Sequence, residues 1–113
     1  MIVKVWNNGA HNRSGSGYGL KVSPADRDEH FKKEWTTILV ELPGVDEPVN
    51  VPIDAAAFWS EAGHPLVSLE IGKWLRHNGL APWPMGNPPF LVLEPVAENR
   101  FRVEKMHKTG NKL

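Results

Sequence analysis

Tyr18-Gly19-Leu20-Lys21-Val22-Ser23-Pro24-Ala25-Asp26-Arg27-Asp28-Glu29-His30-Phe31 changes periodicity at Ser23, and that change sets the order of the elements around it. Tyr18, Leu20 and Val22 alternate with Gly19, Lys21 and Ser23, the period-two pattern of a strand with one buried face. Ser23 can cap a helix, Pro24 suits the first helical position, and Asp26, Asp28 and Glu29 complement the positive end of the dipole. A helix is predicted over residues 24–34, with Lys32 and Lys33 at its far end and Ala25, His30 and Phe31 facing inward. Trp35 then leads into a strand at residues 36–42.

Upstream, Ile2, Val3, Val5 and Trp6 are strand formers, so residues 1–7 are read as the first strand. Residues 8–17, Asn-Gly-Ala-His-Asn-Arg-Ser-Gly-Ser-Gly, hold no large apolar side chain and are read as a long exposed loop. Downstream, the Pro43-to-Pro48 turn separates residues 36–42 from 49–53, an antiparallel pair. Asp54 is placed to cap a short helix at residues 55–61, anchored by Phe58 and Trp59 and stopped by Gly63. Ser68 caps a further helix with Leu69, Ile71, Trp74 and Leu75 at helical spacing, ended by Asn78-Gly79. Four prolines in residues 80–89 exclude ladder and helix alike and leave an ordered crossing loop pinned by Trp83. Residues 90–96 and 100–106 form a hairpin around Ala97-Glu98-Asn99. The order implies an α+β domain over residues 1–106, a small curved antiparallel sheet or pseudobarrel of about six strands with two main helices and one short helix. Residues 107–113 read as a polar tail.

A chain of 113 residues can bury one core, and 41% hydrophobic with 23% charged residues is an ordinary globular balance. The apolar start breaks at Asn7 and Asn8, too early for a signal-peptide core, no window reaches membrane-spanning length, and cysteine is absent. A cytoplasmic protein without disulfides is expected. Net charge is zero but uneven along the chain: residues 1–25 carry Lys4, Arg13 and Lys21 and no acid, residues 26–63 are acidic, and the remainder is basic.

Tests for chemistry return little. His11 shares its loop with Ser14 and Ser16, but no G-x-S-x-G elbow or orienting carboxylate accompanies them, and no P-loop string is present. The five histidines, His11, His30, His64, His77 and His107, show no ligand spacing, so no metal and no cofactor is expected. Asp54, Glu70 and Lys73 faintly suggest a nuclease centre, yet capping and dipole compensation account for both acids. Of the five tryptophans, Trp35, Trp59 and Trp74 read as core, whereas Trp6 and Trp83 are left open as recognition residues.

The strand, Ser23-Pro24 helix and following strand, with the closing hairpin of residues 90–105, resemble the order of elements in B3-like DNA-binding domains of plant transcription factors and some restriction enzymes. That resemblance implies a pseudobarrel gripping duplex DNA with two arms. The first arm would be residues 8–17, offering Asn8, His11, Asn12, Arg13, Ser14 and Ser16 to base edges and phosphates. Lys21, Arg100, Arg102 and Lys105 would hold phosphates. The second arm would fall at residues 50–60, which are acidic here, and zero net charge also departs from the pattern. The Asn7-Asn8-Gly9 loop and the Gly79-Leu80-Ala81-Pro82-Trp83-Pro84 segment are similar to those of short bacterial proteins of unassigned function, which implies no activity. The expected function is non-catalytic binding of double-stranded DNA. The alternative is a partner protein bound through Trp83 and residues 80–89, and an enzyme with His11 in its pocket comes third.

Overall fold

Burial alternates along β1, β3, β4 and most of β7, as expected of strands with one face on a core. The computed structural model describes residues 1–105, so the expected tail and Met106 of the last strand lie outside the described residues. Within the described residues the strands are β1 (Ile2–Asn7), β2 (Tyr18–Lys21), β3 (Thr37–Glu41), β4 (Val49–Pro52), β5 (Leu66–Val67), β6 (Phe90–Ala97) and β7 (Arg100–Lys105). They form one sheet in the order β4-β3-β7-β6-β1-β2-β5, and its two edges, β4 and β5, come into contact, leaving a nearly closed barrel. The expected α+β pseudobarrel architecture is present, with a seventh strand two residues long. One pair departs from the antiparallel expectation: β3 and β7 run parallel, Val40 opposite Phe101.

Val3, Val5, Tyr18, Leu20, Ile38, Val40, Val51, Leu91, Leu93, Phe101 and Val103 fill the interior from these strands. Among the described residues three helices accompany the sheet: α1 (Pro24–His30), α2 (Ala56–Trp59) and α3 (Leu69–His77). The Ser23 hydroxyl accepts from the Asp26 amide at 3.1 Å, as the sequence predicts, but α1 stops at His30 and not at residue 34. Phe31 turns extended and inserts into the core, stacked on Phe101 with ring centroids 4.6 Å apart. Burial of an aromatic ring outweighs one more turn of exposed helix. Within α1 the inward residue is Arg27, not Ala25. Its guanidinium donates to the carbonyls of Phe58 (2.8 Å) and Ser60 (2.7 Å), tying α1 to α2. Asp54 does not cap α2, whose N-cap is Ala55 without a side-chain bond. Leu69 is exposed, leaving Ile71, Trp74 and Leu75 as the apolar stripe of α3.

Strand direction sorts the connections into two ends. Residues 8–17, the turn after β3, α3 and residues 80–89 share one end; α1, α2 and the β6–β7 turn share the other. On the outer face of the parallel seam, Arg100 and Arg102 both donate to the Glu41 carboxylate. The Arg100 hydrogen bond foremost, then that of Arg102, holds the Glu41 carboxyl below the usual glutamate range against a smaller opposing effect of burial.

Two outcomes follow for stability. Phe101→Ala should destabilise the fold by about 3–5 kcal/mol, measured by urea unfolding, because it empties a fully buried aromatic site. Glu41 binds its proton more weakly folded than unfolded. Its contribution is therefore present above the unfolded-state value near about pH 4 and lost as pH falls through the lowered folded value. The stability gap between the wild type and Glu41→Gln should narrow steadily on acidification below that range; a gap constant with pH would show that the pairing does not stabilise the seam.

Candidate nucleic-acid interface

The loop of residues 8–17 is built from the inside by its own amides. Asn7 Oδ1 accepts from the amides of Gly9 (2.7 Å) and His11 (3.0 Å), while its Nδ2 donates to the Gly17 carbonyl (3.1 Å). Asn8 donates its backbone N–H to the same carbonyl at 2.9 Å and accepts from the Ala10 amide through Oδ1 at 3.0 Å. Asparagine serves here because a short carboxamide can replace a backbone partner in a turn. The loop is thus closed at its neck by Asn7, Asn8 and Gly17.

A second set of contacts folds it onto α3. Gly15 is buried at φ 95°, and a Cβ there would meet the Lys73 amide nitrogen at 2.7 Å; a Cβ on Gly72 would run into the Gly15 carbonyl. Only two facing glycines permit this backbone-to-backbone approach. Beside it, the buried Tyr18 hydroxyl lies 2.9 Å from His11 Nδ1 and accepts from Arg76 Nη1 at 3.2 Å, and the same guanidinium nitrogen donates to the His11 carbonyl at 3.3 Å. Trp83 packs edge-on against the His11 and Tyr18 rings, with centroids 4.7 and 5.8 Å away. The loop expected to be wholly exposed is therefore docked, and the crossing loop of residues 80–89 braces it.

This geometry divides the sequence-predicted residues. Asn8 and His11 hold the loop. At the tip Asn12 Nδ2 donates to Ser16 Oγ (3.0 Å), Ser14 and Ser16 share a hydrogen bond (3.3 Å), and the Gly15 amide donates to the Asn12 carbonyl (3.0 Å). Arg13 stands exposed between them and forms no ion pair among the described residues. Lys105 is exposed at the same end of the sheet. Arg100 lies toward the opposite end, and both Arg100 and Arg102 are engaged with Glu41, on a seam three strands from β2. Lys21 sits across from Lys4 on the outer face of β1 and β2. The residues 8–16 and Lys105 are brought to one end; Lys21, Arg100 and Arg102 are not.

Other chemistry stays dispersed. His11 faces a tyrosine hydroxyl and no carboxylate, and Asp54, beyond β4, is at the opposite end from Glu70 and Lys73 on α3. Among the described residues one potential ligand set gathers, Asp26, Glu29 and His30 on one face of α1, within 4.8 Å of one another. It holds a single histidine, so histidine spacing in the sequence does not mark it. A groove of about 690 Å³ runs between α3 and the turn after β3, floored by Leu42, Val49 and Trp74 and rimmed by Glu70, Lys73 and His77. Compared with protein-family models, curated proteins and solved structures, the chain matches none.

Gly72→Ala tests the docking directly. It should shift the amide resonances of residues 12–16 and cost about 1–3 kcal/mol through forced separation of loop and helix. Loop resonances that stay in place would show that the contact does not set the loop's shape.

Proposed function

We propose that the protein is a non-catalytic domain that binds duplex DNA through the tip of residues 8–17. One observation carries the reading: a loop without a single acid is braced from below at Asn7, Asn8, Gly15 and His11, so that exposed Arg13 sits on a pre-shaped polar tip and forms no ion pair among the described residues. Arginine is the side chain best suited to the paired acceptors of guanine in the major groove, and a rigid mount lowers the entropic cost of placing it there. Asn12, Ser14 and Ser16 supply donors and acceptors around it, and Lys105 supplies a phosphate contact from the same end. The nearly closed barrel-like sheet is compatible with a pseudobarrel. Arg100 and Arg102 enter this reading only if Glu41 releases them.

A partner protein on residues 80–89 is the second reading, favoured by Met85, which is 98% exposed on the turn closed by the Asn87 amide and the Pro84 carbonyl. Trp83 itself is committed to His11 and Tyr18.

Anisotropy titrations of a labelled mixed-sequence duplex at low and moderate salt distinguish the two. Arg13→Ala should weaken duplex binding by about tenfold and reduce the salt slope by about one, with melting unchanged. Equal affinity in the variant would remove the loop from the interface; no duplex binding even at low salt would leave the partner-protein reading.

A further inference from the structure

The outer face of β1, β2 and β6 has a composition that the duplex reading does not use. Val3 and Val5 are buried, so Ile2, Lys4 and Trp6 point away from the core. Lys4 lies directly opposite Lys21 on β2 and directly opposite Phe90 on β6. Two ammonium groups facing each other across a ladder repel, and neither lysine forms an ion pair among the described residues. The nearest acids on the outer face of β6 and β7 are Glu94, across from Arg102, and Glu104, across from Val92. The charge on this face calls for an anion.

Aromatic surface accompanies it. Phe90 is 50% exposed and Ile2 55%, and half-buried Trp6 is the one tryptophan that does not pack against the core cluster. Phe90 is registered with Lys4, so Trp6 is its diagonal neighbour, roughly 7–8 Å away across the ladder. Two aromatic residues on neighbouring strands, flanked by lysines without ion pairs among the described residues, match what single-stranded nucleic acid needs: π-surfaces for successive bases and cations for the phosphates between them. An anionic membrane would also meet lysine and aromatics, but these side chains lie on the face of a sheet, within β1, β2 and β6, and not on protruding loop tips.

We infer that this face, Lys4, Trp6, Lys21 and Phe90, is a binding track for single-stranded nucleic acid. It is a separate surface from the tip of residues 8–17 and does not depend on the duplex reading. Bases stack on Trp6 and Phe90, and Lys4 and Lys21 contact the backbone without base selectivity.

The test is anisotropy of a labelled oligothymidylate of roughly 15 nucleotides, the upper end of a single-module site. The wild-type protein should bind it with steep salt dependence. Trp6→Leu and Phe90→Ser should each weaken binding by about tenfold or more, and Lys4→Gln should weaken it and flatten the salt dependence. Arg13→Ala should leave it unchanged. Because Trp6 could affect folding through its neighbour Asn7, thermal melting accompanies each variant, and Phe90→Ser and Lys4→Gln carry the test if Trp6→Leu is unstable. Duplex binding without oligothymidylate binding overturns this inference alone. Oligothymidylate binding indifferent to Phe90 and Lys4 also overturns it, as does binding confined to phosphatidylserine vesicles.

Discussion

The parallel pairing of β3 with β7 is the constraint on which the architecture rests. Without it the sheet falls into a two-stranded hairpin, β3 and β4, and a separate five-stranded array. Everything at the seam reinforces this one junction. Phe101 stacks on Phe31 and meets Trp35 edge-on on the inside, while Glu41 gathers Arg100 and Arg102 on the outside. The Leu39 amide donates to the Asn99 carbonyl just before the pairing begins, and Asn99 returns a side-chain bond to Thr37. Because β3 must wait for β7, the barrel cannot close until residues 100–102 are in hand, a topology of long sequence separations and correspondingly slow loop closure.

Much of this fold can be read from residue pattern. The Ser23-Pro24 and Ser68 caps, the Asn78-Gly79 stop and the alternation of Tyr18 and Leu20 are local signals, and each marks an element that is present. What escapes the pattern is set by distant partners. Phe31 reads as a helical residue until Phe101 is placed beside it; Leu69 reads as core until the sheet's extent is known; a strand of two residues has no periodicity to detect. Parallel pairing of β3 and β7 joins segments about sixty residues apart and leaves no mark in either.

The candidate interface shows the same division. Composition alone locates the loop, since ten residues with three glycines and no acid stand out in any reading. Which of its side chains face outward depends on α3, and no local feature links Gly15 to Gly72 or His11 to Arg76. Asn8 and His11, suited like Arg13 to base edges and phosphates by residue type, are spent on bracing. Trp6 stands out by residue type alone, but the pairing of Lys4 with Lys21 leaves no local mark: a strand's outer face is ordinary until the register sets two lysines side by side.

The contact between Gly15 and Gly72 carries an evolutionary consequence. All of the bracing lies inboard of the tip, so the residue at position 13 touches nothing that the barrel needs. Substitutions there are expected to drift freely with respect to folding while altering what is bound, whereas a side chain at position 15 or at position 72 runs into the backbone opposite, so neither glycine can be exchanged by changing the other. A lineage of such domains could diversify its targets at nearly constant stability, with innovation confined to a few outboard positions and the glycine pair held fixed beneath them.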